Sequence, residues 1–97
     1  MNIPTREEIK KAIYWARSTQ KEYGQCSSLR AQLRYQASTG KFYIVELQAR
    51  EWAPLGADEI IINTAEYDHE YNKIPIDSLI DAAEKAIREK QVKKCPV

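Results

Sequence analysis

The sequence predicts an α+β domain, a two-layer α-β-β-β-α arrangement in which a three-stranded antiparallel meander carries two helices on one face. Three observations lead there. Residues 29 to 49 alternate with period two on both sides of a turn, which assigns alternate side chains to opposite faces of a sheet. Residues near each end of the chain repeat their apolar positions with helical spacing, so each end presents one buried stripe. The connections between strands are short enough to favour antiparallel neighbours, because parallel strands need long crossovers.

The first helix is expected from Thr5 to about Tyr23. Thr5 and Glu8 have capping-box spacing, and Glu7 and Glu8 suit the positive end of the helix dipole. Ile9, Ala12, Ile13 and Ala16 form its buried stripe, flanked by Tyr14 and Trp15. Gly24 suits the position just past its end. In the hairpin, a loop of Ser38, Thr39 and Gly40 is expected, with Gly40 in the left-handed position of a bulge. That loop pairs Tyr35 with Tyr43, Leu33 with Val45 and Ala31 with Leu47, and gathers those apolar residues on one face. Trp52 to Asp58 reads as a connection broken by Pro54 and Gly56. Glu59 to Ala65 reads as the third strand, and Tyr67 to Lys73 as a polar, aromatic loop. The last helix is expected from near Pro75 to about Lys90, capped by Asp77 or Ser78. Its stripe is Leu79, Ile80, Ala82, Ala83, Ala86 and Ile87. Leu29, Leu33, Tyr35, Val45, Leu47, Ile60 and Ile62 are the expected core face of the sheet.

A chain of 97 residues makes one domain and one core. The expected ordered part is residues 4–90, with residues 91–97 as a frayed tail. A net charge of +1 leaves no global field to steer nucleic acid or an anionic membrane. No apolar run reaches the roughly 18 residues of a membrane span. Met1-Asn2-Ile3-Pro4-Thr5 leads straight into a polar helix pattern rather than a secretory leader. Cys26 and Cys95 are far apart and read as reduced thiols, so a cytoplasmic location is expected. A bridge between them would tie the tail to the end of the first helix.

With both helices on one side, the other sheet face is expected to be open. The register puts Arg30, Gln32, Arg34, Gln36, Phe42, Ile44, Glu46, Gln48 and Arg50 there, joined by Ile61. Phe42, Ile44 and Ile61, rimmed by Arg30, Arg34 and Arg50, have the make-up of an interaction surface. The expected function is therefore a non-enzymatic protein-interaction domain, pairing through this face with itself as a homodimer or with another protein. The alternative is a sheet-face RNA-binding module, with the arginines on phosphates and Phe42 stacked on a base. The element order is similar to that of double-stranded-RNA-binding domains. Their last helix opens on a lysine cluster, however, and here it opens Ile76-Asp77-Ser78-Leu79-Ile80-Asp81, with acid in place of the cations.

A second alternative is a small ligand-binding domain or an enzyme using the loop Glu66-Tyr67-Asp68-His69-Glu70-Tyr71, the one stretch of mixed catalytic-type residues. His69 could act as a base near neutral pH, oriented by Asp68 or Glu70. Adjacent loop residues rarely converge on one point, and no second histidine, spaced nucleophile or phosphate-loop motif accompanies them. Cys26 follows a helix C-terminus, where the dipole does not activate a thiol. No catalytic residue, cofactor or metal site is therefore assigned. The small residues Ala12, Ala16, Ala82, Ala83 and Ala86 between the layers read as close packing, with a cavity for a small molecule as the alternative.

Overall fold

The computed structural model describes residues 3–24 and 28–93. Cys26 and Cys95 lie outside them, so the thiols and any bridge between them do as well. Helix α1 spans Arg6–Tyr23, strands β1, β2 and β3 span Arg30–Gln36, Lys41–Leu47 and Glu59–Ile62, and helix α2 spans Ile76–Lys93. The class is α+β with an antiparallel sheet, as the sequence predicts.

The helix ends follow from local chemistry. Thr5 accepts the Glu8 backbone N–H at 3.1 Å through its hydroxyl, and Glu8 accepts the Thr5 N–H at 2.9 Å. This capping box satisfies two donors that helix geometry leaves free. Gly24 ends α1 at φ 87°, a conformation costly for any residue with a Cβ. Helix α2 starts at Ile76, so Asp77 and Ser78 lie inside its first turn rather than capping it. It also continues to Lys93, past the expected end.

The strands pair in the order β2-β1-β3. The meander expectation is corrected here: β3 lies beside β1, not β2. Since both pair antiparallel with β1, β2 and β3 run parallel, and the chain between them must cross the sheet. Residues 48–58 make that crossing.

The hairpin register is also shifted by one residue. Gln36 pairs with Lys41, Tyr35 with Phe42, Arg34 with Tyr43 and Leu33 with Ile44. The loop is Ala37 to Gly40, closed by the Gly40 N–H on the Gln36 carbonyl at 2.8 Å, with Gly40 at φ 70°. A one-residue change in loop length exchanges the two faces of β2. Phe42 and Ile44 therefore turn towards the helices, where both pack on the core. Tyr43, Val45 and Leu47 turn the other way. The pattern allowed either register, because residues 42 to 45 of β2 are all apolar or aromatic. β3 ends at Ile62, short of the expected Ala65, but its faces are as expected, with Ile60 and Ile62 towards the helices and Ile61 away from them.

Helix α1 packs over β1, and α2 packs over β3 and against α1. Ile9, Ile13, Leu33, Tyr35 and Ile87 are the largest fully buried side chains between the layers. Gln20 joins α1 to the start of β1, donating to the Leu29 carbonyl and accepting the Ala31 N–H. Arg17 joins it to the chain after β3 through the carbonyls of Thr64 and Ala65. Ala82 is exposed, outside the stripe expected for it.

Replacing Thr5→Ala removes the hydroxyl half of the capping box. The expected loss is about 1 kcal/mol in urea unfolding, with an unchanged folded spectrum.

Candidate functional site: the strapped face of the sheet

The second face of the sheet is not open. Arg30, Gln32, Arg34 and Gln36 of β1 point there, with Tyr43, Val45 and Leu47 of β2 and Glu59 and Ile61 of β3. The crossing segment 48–58 lies over it as a strap. Leu47 is only 4 % exposed, although it lies apart from the core between sheet and helices.

Arg34 fastens the strap. Its side chain is 3 % exposed. Nη1 donates to the Pro54 carbonyl at 2.7 Å and Nη2 to the Ala53 carbonyl at 2.9 Å. Nε and Nη2 both donate to Oε1 of Gln32, at 2.9 and 2.8 Å. The planar fork of a guanidinium suits this set of acceptors, and the single ammonium of lysine does not. Burying the charge needs a counter-charge, and Glu59 supplies it, with Oε1 3.9 Å from Arg34 Nη1.

Glu59 is itself held on several sides. The Tyr43 hydroxyl donates to Oε2, and the Gly56 N–H donates to Oε1 at 2.8 Å. These bonds, the Tyr43 hydroxyl foremost, hold its carboxyl below the usual range, and the Arg34 charge acts in the same direction against the opposing effect of burial. Burial first, then the bond to Glu59, pushes the Tyr43 phenol up. Asp58 ties the far end of the strap to the hairpin loop, accepting from the Ser38 hydroxyl and, at 3.3 Å, from the Ser38 N–H.

The strap begins with a sharp turn. Arg50 sits at φ 68°, in the left-handed region that residues with a side chain seldom occupy. The Gln48 N–H donates to the Glu51 carboxylate and the Glu51 N–H to the Gln48 carbonyl, closing that turn at 2.9 Å each. Beyond it the strap presents Trp52 at 80 % exposure and Leu55 at 45 %, on the same side of the sheet as Ile61 at 48 %.

The expected site residues therefore divide. Ile61, Arg30 and Arg50 are on the surface of this side, with Arg30 also donating to the Glu51 carbonyl at 3.3 Å. Phe42 and Ile44 face the helices instead. Arg34 is on this face but turned inward, unable to reach an external phosphate. Sequence reasoning missed Trp52 and Leu55, because it treated their segment as a plain connection.

The His69 loop is organised around Asp68. Its Oδ1 accepts the Glu70 N–H at 2.8 Å and the Asn72 N–H at 2.9 Å, and these bonds keep the carboxyl below its usual range. The loop closes as a small turn through the Tyr67–Lys73 bridge, with Tyr71 at φ 63°. Asp68 is thus committed to the backbone rather than to orienting His69, which is exposed. Among the described residues no group of His, Cys, Asp and Glu side chains is placed to hold a metal ion, and no helix is long and apolar enough to cross a membrane. Protein-family models, curated proteins and solved structures contain no match to this chain.

Two outcomes follow from the Arg34 cluster. Arg34→Met should lower stability by about 3 kcal/mol in urea unfolding, since one partner of a buried pair is lost along with the strap's anchor. Glu59 has a lower pKa folded than unfolded, so its contribution is complete above the ordinary carboxylate range and is lost as the pH falls through the folded value. Glu59→Gln should therefore flatten the acid limb of a stability-against-pH profile and leave the slope near neutrality unchanged.

Proposed function

We propose that this protein is a non-enzymatic, cytoplasmic interaction domain that pairs with a second copy of itself through the strapped face. The observation that carries this reading is Trp52, an indole 80 % exposed on a strap that is anchored from beneath. Tryptophan and arginine supply a disproportionate share of binding energy at protein contacts. Leu55 and Ile61 extend the apolar surface, and Arg30 and Arg50 give it a polar rim. Arg50 and Glu51 are adjacent on that rim, so a two-fold contact can set each against its opposite in the other copy. A net charge of +1 keeps repulsion between copies small.

The contact also needs a rigid platform, because ordering a loose loop on binding costs affinity. The bonds from Arg34 to Ala53 and Pro54 provide one. An RNA-binding reading draws on the same Trp52 with Arg30 and Arg50, as a stacking platform beside two cations. It ranks second because Arg34, the most central cation, is turned inward.

Sedimentation equilibrium in the micromolar range should give a dimer. Trp52→Ala should weaken it by about 2 kcal/mol, roughly 30-fold, and Ile61→Glu should give a folded monomer. Trp52 emission should shift to the blue as the dimer forms. A wild-type protein that stays monomeric at high micromolar concentration would end the homodimer reading. Salt-dependent binding to single-stranded RNA that is lost in Trp52→Ala would put the second reading first.

A further inference from the structure

On the helix side of the sheet, a cleft of about 360 Å³ lies between the start of α1 and the hairpin loop. Its volume is near the lower end for small-ligand sites. Tyr35 contributes to its lining and is 1 % exposed. Among the described residues, the Tyr35 hydroxyl is the one buried side-chain polar atom with no hydrogen-bond partner. It sits under the loop, where a Cβ added to Gly40 would come within 3.8 Å of it. Buried hydroxyls are nearly always bonded, so this unpartnered one beneath the cleft has its bonding capacity left for a ligand that displaces the Gly40 turn slightly to reach it.

The other walls specify what that ligand must offer. Glu8 lines the cleft and carries the one formal charge among the lining side chains. The capping box fixes its carboxylate in place, and the bond from the Thr5 N–H is the main reason its pKa is lowered. The Glu8 charge also reaches the Tyr35 phenol, which is raised by burial first and by Glu8 second. The Ser38 and Thr39 hydroxyl protons are already given to Asp58 and Gln36. Towards the cleft, these two side chains offer acceptors. Ile3 and Pro4 add apolar surface. The positive end of the α1 dipole works against a cation here, and the Glu7 and Glu8 carboxylates in the first turn offset it.

We propose that this cleft binds a primary ammonium group on a short alkyl chain, held by the Glu8 carboxylate and the Tyr35 hydroxyl oxygen, with the alkyl part along Ile3 and Pro4. The same chemistry is offered by a free alkylamine and by a lysine side chain.

The test is an amide NMR titration of the full chain with putrescine and, separately, with Nα-acetyl-lysine methylamide, using butan-1-ol as the uncharged control. Saturable shifts in the millimolar range are expected at Glu8, Ser38, Thr39 and Gly40, with none from the control. Glu8→Gln keeps a side chain that can still complete the capping box, and it should weaken binding by about tenfold or more through loss of the charge-assisted bond. Tyr35→Phe removes a hydroxyl that bonds to nothing in the fold, so it should fold normally and bind several-fold more weakly. Saturation by putrescine alone identifies a free amine as the source, and saturation by the lysine probe identifies a side chain. No saturation by either amine, an equal response to butan-1-ol, or undiminished binding in Glu8→Gln would overturn the proposal.

Discussion

The sheet has one buried cation, and the architecture on its second side depends on satisfying it. Arg34 lies in the middle of the central strand, flanked by Leu33 and Tyr35, which face the helices. A guanidinium there either stays in water or is covered by something rich in acceptors. The crossing segment provides two successive carbonyls, at Ala53 and Pro54, and the neighbouring strand positions provide Gln32 and Glu59. A strap whose backbone carbonyls pointed away from the sheet would leave the charge desolvated at a cost of several kcal/mol. The cover is polar on its underside for that reason, and its apolar side chains, Trp52 and Leu55, are left facing solvent.

The elements themselves were legible because their signals are local. Thr5 and Glu8 announce a capping box, Gly24 a helix end, Gly40 a left-handed turn, and the Ile60-Ile61-Ile62 run a strand with one residue turned outward. Each of these depends on a few neighbouring residues. The strand order and register were not legible in the same way. Phe42, Tyr43, Ile44 and Val45 give β2 an apolar set for either face, so the pattern carries no preference unless the state of the second face is known. That state is set by the strap, a tertiary feature. Assuming a water-exposed face made the wrong register look better.

The same limit applies to the sites. Ile61 and Arg30 lie on the side that alternation expects, whereas Arg50, expected there in one set with Phe42 and Ile44, reaches the surface only because β2 ends at Leu47 and the chain turns. Trp52 lay in a segment with Pro54 and Gly56, where breakers hide the fact that the chain is held against the sheet. Its one sequence signal was an indole in a connection otherwise suited to solvent. Tyr35 was rightly placed in the core by alternation, but no pattern reveals whether a phenol hydroxyl will find a partner once buried. That depends on the path of the hairpin loop, which shifts with one residue of loop length.

The crossing connection also orders events during folding. β1 meets β2 across a short loop, a closure that takes microseconds, whereas it meets β3 only after a longer excursion of the chain. Until β3 and the strap arrive together, the Arg34 guanidinium keeps its hydration shell. A half-docked strap gains nothing, because it strips that water without delivering both carbonyls and the Glu59 charge. Docking of β3, closure of the strap and dehydration of Arg34 are thereby coupled into one cooperative step. The β1–β2 turn closes through local bonds, while the opposite edge of the sheet is tied to the strap through Arg34 and Glu59.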